Sequence, residues 1–102
     1  MSTQYPVSGC YVIVRSQGAG VFMGELISRN GAEVTLRNSR RLWYWKGAAS
    51  LSQLAVEGTK APRECKFPVA VPSHEILNVI EILYVTPEAK ASIDAVPVWE
   101  ER

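Results

Sequence analysis

Apolar residues along the chain fall into short β-branched or aromatic runs separated by Gly, Asn, Ser and Pro, and twice they shift to helical spacing. The run 10–15 (CYVIVR) reads as a first strand, followed by a glycine-rich turn at 16–20 (SQGAG) and a second strand at 21–28 (VFMGELIS). Asn30-Gly31 is a strong hairpin signal, because a type I′ turn needs positive φ at both central residues. It leads into a third strand at 33–37, and Asn38-Ser39 joins that to a fourth at 40–45 (RRLWYW). Two-residue loops would set Ile27 opposite Val34, Glu25 opposite Leu36, Leu36 opposite Arg41 and Val34 opposite Trp43. One side of this meander then carries Ile27, Val34, Trp43 and Trp45 with Glu25 and Arg41. The other carries Leu26, Leu42 and Tyr44 beside Arg37 and Arg40. Neither side is cleanly polar, so the sheet is expected to curl or to be covered by a helix.

Past Gly47 the period changes. Ala48, Leu51, Leu54 and Ala55 fall on one helical face with Ser50, Ser52 and Gln53 opposite, and Gly58 supplies a C-cap. Residues 59–64 form a polar connection, 65–71 (CKFPVAV) an edge or irregular strand because of Pro68, and 77–85 a strand. Thr86, Pro87 and Glu88 make a helix start, and Pro97 stops that helix, leaving a tail whose Trp99 docks on the body. The expected fold is α+β: one domain over 1–102, a small antiparallel meander or barrel-like sheet of about six strands, and two short helices.

Composition narrows the function classes. A chain of 102 residues buries roughly two thirds of its unfolded surface, so its core is modest. Its longest apolar stretches fall short of the ~20 residues of a membrane helix, so no membrane partner is expected. MSTQYPVSG has neither a basic nor an apolar signal region, so secretion is not expected, and Cys10 and Cys65 read as reduced, buried thiols. Neither cysteine has zinc-ligand spacing, and no metal or cofactor is predicted. The net charge of +1 is unevenly spread. Residues 29–66 hold eight basic against three acidic residues, and 67–102 two basic against six acidic. That balance fits a local anion site and argues against general nucleic-acid binding, which needs a broad basic surface.

Catalysis is poorly supplied. His74 is the one histidine and reads as an exposed loop residue; no phosphate loop, zinc motif or nucleophile elbow occurs, so no enzyme is expected. The stretch 37–53 differs. Arg37, Arg40 and Arg41 offer guanidinium forks for phosphate or carboxylate, and Trp43, Tyr44 and Trp45 offer flat faces for a base. Ser50 and Gln53 stand at a helix start that favours anions. The competing reading is structural: the indoles fill a core short of bulk, Arg41 neutralises Glu25, and Ser50 caps the helix.

The block RRLWYWKGAASLSQLAVEGTK within 19–67, with VIEILYVTPEAKASIDAVPVW near the end, resembles a family of small proteins from tailed phages and prophages. The resemblance implies a viral product made in the host bacterial cytoplasm, with no activity to transfer. Small phage proteins of this kind include traps for host immune signals. The resulting expectation is a non-catalytic homo-oligomer that sequesters a nucleotide-derived small molecule of the cyclic oligonucleotide or ADP-ribose type. Its site would be Arg37, Arg40, Arg41, Trp43, Tyr44, Trp45, Ser50 and Gln53. The alternative is a protein-interaction module, either a virion component or an inhibitor of a host protein, since Trp, Tyr and Arg also dominate protein hot spots.

Overall fold

A computed structural model describes residues 10–101. Five strands, β1 (Cys10–Ser16), β2 (Gly20–Asn30), β3 (Glu33–Arg41), β4 (Val71–Ile76) and β5 (Val79–Tyr84), form one antiparallel sheet in the order β4-β3-β2-β1-β5. Two helices, α1 (Leu51–Glu57) and α2 (Pro87–Asp94), complete an α+β fold, with five strands rather than six and a ladder that stays open between β4 and β5.

The ladder is open but cannot be flat. Strands lie ≈ 4.8 Å apart, so the outer two of a flat five-stranded sheet would be about 19 Å apart. Here those two strands are joined by Leu77 and Asn78 alone, and three Cα–Cα steps reach at most about 11 Å. The sheet therefore coils until the end of β4 meets the start of β5. Ser16 Oγ donates to Leu77 O at 2.6 Å, and Val79 N–H donates to Ala32 O at 2.9 Å, which fixes the junction. Coiling encloses one sheet face, where Val12, Val14, Phe22, Leu26, Val34, Leu36 and Ile76 are buried without a helix over them. On the other face Ile13, Met23 and Leu42 pack under Leu54 and Ala55 of α1, Ile93 of α2, and Cys65, Phe67 and Val96.

The largest departure from the sequence reading lies at 38–45. Asn38-Ser39 is no hairpin: β3 runs through it to Arg41, with Asn38 alone at φ 55°. A type I′ turn needs two residues at positive φ, whereas a single left-handed residue makes a bulge. Gly24 accommodates it, since a Cβ there would stand 3.1 Å from both Arg37 O and Ser39 Cα. The register shifts between Met23 and Glu25, so that Glu25 faces Arg37, Met23 faces Arg40 and Phe22 faces Arg41. The expected pairings of Glu25 with Leu36, Ile27 with Val34, Leu36 with Arg41 and Val34 with Trp43 do not occur, because the β2–β3 turn sits on Gly31-Ala32 and two bulges follow. After Leu42, whose N–H donates to Val21 O at 2.8 Å, the chain leaves the sheet and returns to it as β4; residues outside the strands form two isolated bridges, Tyr44 with Lys66 and Phe67 with Val98. The strand expected over 77–85 is β5, shortened to Val79–Tyr84 because Leu77 and Asn78, the latter at φ 56°, form the β4–β5 junction. Cys10 is half-buried, Cys65 is buried, and no disulfide joins them.

Candidate functional site

The three arginines of the 37–41 stretch have three different fates. Arg37, on an exposed stretch of β3, faces Glu25 at 3.8 Å and so takes the carboxylate that the structural reading expected Arg41 to neutralise. Arg40 points inward and is 7% exposed. Its Nε donates to Pro68 O at 3.0 Å, Nη1 to Ile93 O at 3.1 Å, and Nη2 to Phe67 O at 3.0 Å and Val96 O at 2.8 Å. Burial pushes its pKa down and Asp94 opposes this, while the guanidinium also lies over the Phe67 ring. Arg40 is therefore a cross-link between β3, the 67–68 segment and the end of α2, and it leaves the candidate ligand set.

Arg41 is the open one. Its Nη1 donates to Ala19 O at 2.6 Å and its guanidinium lies 4.4 Å over the Phe22 ring. Five N–H donors belong to this group, and among the described residues no carboxylate pairs with it. Gly20 beside it is at φ 114°, a conformation that favours glycine, and a Cβ there would meet Nη1 in ordinary contact at 3.4 Å. Arg41 forms the shared wall of two clefts. One, about 210 Å³, is completed by Ala19, Gly20, Val21, Leu42, Trp43 and Trp45. The other, about 190 Å³, is bounded by Phe22, Ser39, Pro68, Val69, Val71 and His74.

The aromatics also separate. Trp45 is half-buried against the helix-side core, as the structural reading expected of a core indole. Trp43 is 62% exposed and stacks on Trp99, with ring centres 6.5 Å apart and planes 14° from parallel. Tyr44 sits on the neighbouring surface, where Lys66 Nζ lies 5.8 Å from its ring and 5.5 Å from that of Trp99. Tyr44 thus belongs to an exposed aromatic patch and does not line the Arg41 clefts.

Ser50 and Gln53 leave the ligand set for a different reason. Ser50 Oγ accepts from Gln53 N–H at 3.1 Å while Gln53 Oε1 accepts from Ala49 N–H at 2.7 Å, a reciprocal cap on a helix of seven residues. Gln53 Nε2 then donates to Glu57 at 3.0 Å. Of the eight residues picked from sequence, Arg41, Trp43 and Trp45 converge on one cleft.

Sequence reasoning missed His74. It is no loop residue: it stands on β4 opposite Leu36, half-buried, with its ring 4.8 Å from Phe22 at 89° and Nδ1 2.9 Å from Ser39 Oγ. Burial first, and the Arg41 charge second, push its pKa below the ordinary histidine value. VPSHEI carried no alternation to announce a strand, since Ser73, His74 and Glu75 are three polar residues in a row after Pro72.

A family model for a domain of unknown function, DUF6948, matches residues 9–93. The chain belongs to that family. The matched stretch of the DUF6948 domain takes in all five strands and the Arg41 clefts, while Trp99 lies beyond it. No curated protein and no solved structure matches the chain. No helix among the described residues is long and apolar enough to cross a membrane.

Proposed function

We propose that this protein is a non-catalytic binding module that holds a phosphate-bearing, nucleotide-like molecule at the Arg41–Trp43–Trp45 cleft. One observation carries the reading: a half-buried arginine without a carboxylate partner among the described residues shares a concave wall with two indoles. Guanidinium forks fit phosphate oxygens, and an indole face stacks a base for ~1–3 kcal/mol. Lack of turnover is supported by Ser39, whose hydroxyl meets His74 at nucleophile–base spacing but whose residue is 1% exposed. A cleft of about 210 Å³ is smaller than the 300–1,000 Å³ of ordinary ligand sites. It takes one end of such a molecule, and pairing with a second copy would enclose the rest.

Thermal melts with cyclic di- and trinucleotides, ADP-ribose and NAD test this. Ligand at 100 times its Kd adds ≈ 2.7 kcal/mol, a rise of about 10–20 °C for a domain of this size. Trp43→Ala should remove the shift while leaving the unliganded melt in place. The absence of any shift across the panel would refute the reading. A second reading rests on its own observation: Trp43, Tyr44, Val98 and Trp99, each 43–62% exposed, form a continuous aromatic surface beside Lys66. Such a surface suits a protein partner, and capture of one defined protein that Trp99→Ala abolishes would favour it.

A further inference from the structure

The second Arg41 cleft shares the guanidinium with the first but has neither indole in its lining. We infer that this cleft, between Arg41 and His74, is an oxyanion site for a sulfate or phosphate group, and that protonation of His74 strengthens it. Phe22 is the common platform: the Arg41 guanidinium lies 4.4 Å over its ring and the His74 ring meets it edge-to-face at 4.8 Å. Two cation-forming groups are thereby placed on one small ring, at the mouth of a cavity of about 190 Å³.

Ser39 sets the histidine's geometry. Its hydroxyl, 2.9 Å from Nδ1, can donate to the neutral ring or accept from the protonated one, so the same contact serves both states. With Nδ1 engaged, Nε2–H is the donor left for the cleft. Pro68, Val69 and Val71 form the remaining wall and bring no charge. The groups facing the ring are therefore Ser39 and Arg41 from β3 and Phe22 from β2; Glu75, the next residue along β4, points to the other side of the strand. Burial and the Arg41 charge disfavour the imidazolium. An anion between the two reverses the Arg41 effect, so anion and proton bind with positive coupling, each raising affinity for the other by the same factor.

Because His74 is the chain's one histidine, its ring-proton NMR titration reads the site without assignment ambiguity. Sulfate is the probe, since it keeps its charge throughout the histidine range, and chloride at matched ionic strength is the control. The expected result is an upward move of the His74 pKa of about 0.5 in sulfate, equivalent to roughly threefold tighter sulfate binding to the protonated form. Chloride should give no comparable change. Arg41→Gln should raise the pKa of the free protein and abolish the sulfate response, while Arg37→Gln, a charge change elsewhere on β3, should keep it. If Arg41→Gln does not fold, sulfate-induced amide shifts in the unaltered protein decide: they should cluster at Phe22, Ser39, Arg41 and His74. Equal effects of sulfate and chloride, a full response in folded Arg41→Gln, or dispersed amide shifts would overturn the site. A protein that ignores nucleotides yet answers to sulfate keeps this inference and loses the previous one.

Discussion

Arg40 offers the sharpest energetic test of the fold. Replacing it by Ala deletes four donors at once, but the four carbonyls do not suffer equally. Phe67 O also accepts from Trp99 N–H at 3.0 Å, and Ile93 O from Val96 N–H at 3.1 Å. Pro68 O and Val96 O have the guanidinium as the partner the structure shows. A buried acceptor left unmade costs ≈ 1–3 kcal/mol; Val96 O is buried and Pro68 O partly so, and together they cost about 2–4 kcal/mol before the lost packing of the stem is counted. Whole-domain stability is typically 5–15 kcal/mol, so Arg40→Ala is expected to remove a large share of it. Arg40→Lys keeps a charge on a flexible stem but cannot reach carbonyls fanned over two segments, so it should fall between wild type and Ala. Urea unfolding at 25 °C, followed by tryptophan emission, gives the ordering. A loss below 1 kcal/mol for Ala, or a Lys variant as stable as wild type, would show that the guanidinium is not the bond between sheet and α2.

Three further outcomes are expected. The His74 pKa is lowered in the folded protein, so unfolding gains a proton below the ordinary histidine value of ≈ 6.5. Stability should be fully present above that pH and decline as pH falls through the native pKa, and His74→Gln should flatten this slope in a urea series from pH 7.5 to 5. Ser50→Ala should cost ~1 kcal/mol through loss of the α1 cap, read as a lower urea midpoint. Gly47→Ala should be worse than its left-handed φ of 85° alone implies (~1–2 kcal/mol), because the new Cβ would stand 2.5 Å from Ala61 N; circular-dichroism melts will show whether that loop can shift.

The strands β1, β2, the first half of β3 and β5, and both helices, were legible in the sequence because period and punctuation agreed there. Asn38 misled. Asn38 and Asn78 are each a single left-handed residue, but one bends a strand that continues and the other separates two strands; only the pairing partners, distant in sequence, decide which. The candidate site was legible in residue type but not in direction. Arg40 and Arg41 are adjacent and chemically identical, so sequence cannot tell that one meets the carbonyls of Phe67, Pro68, Ile93 and Val96 while the other turns to Phe22 and open clefts. His74 was hidden because its partners Ser39 and Phe22 lie 35 and 52 positions upstream.

The two-residue junction between β4 and β5 also bears on how the chain reaches its native state. Residue pairs such as Val12 with Tyr84 and Ser16 with Val79 must find each other across nearly the whole chain, so the β1–β5 ladder cannot nucleate locally. The three-strand hairpin array from Cys10 to Arg41 has near-neighbour contacts and can form first; closure against β5 must wait until the long excursion after Arg41 has been threaded and β4 has docked. Such a high contact order implies refolding nearer milliseconds to seconds than microseconds.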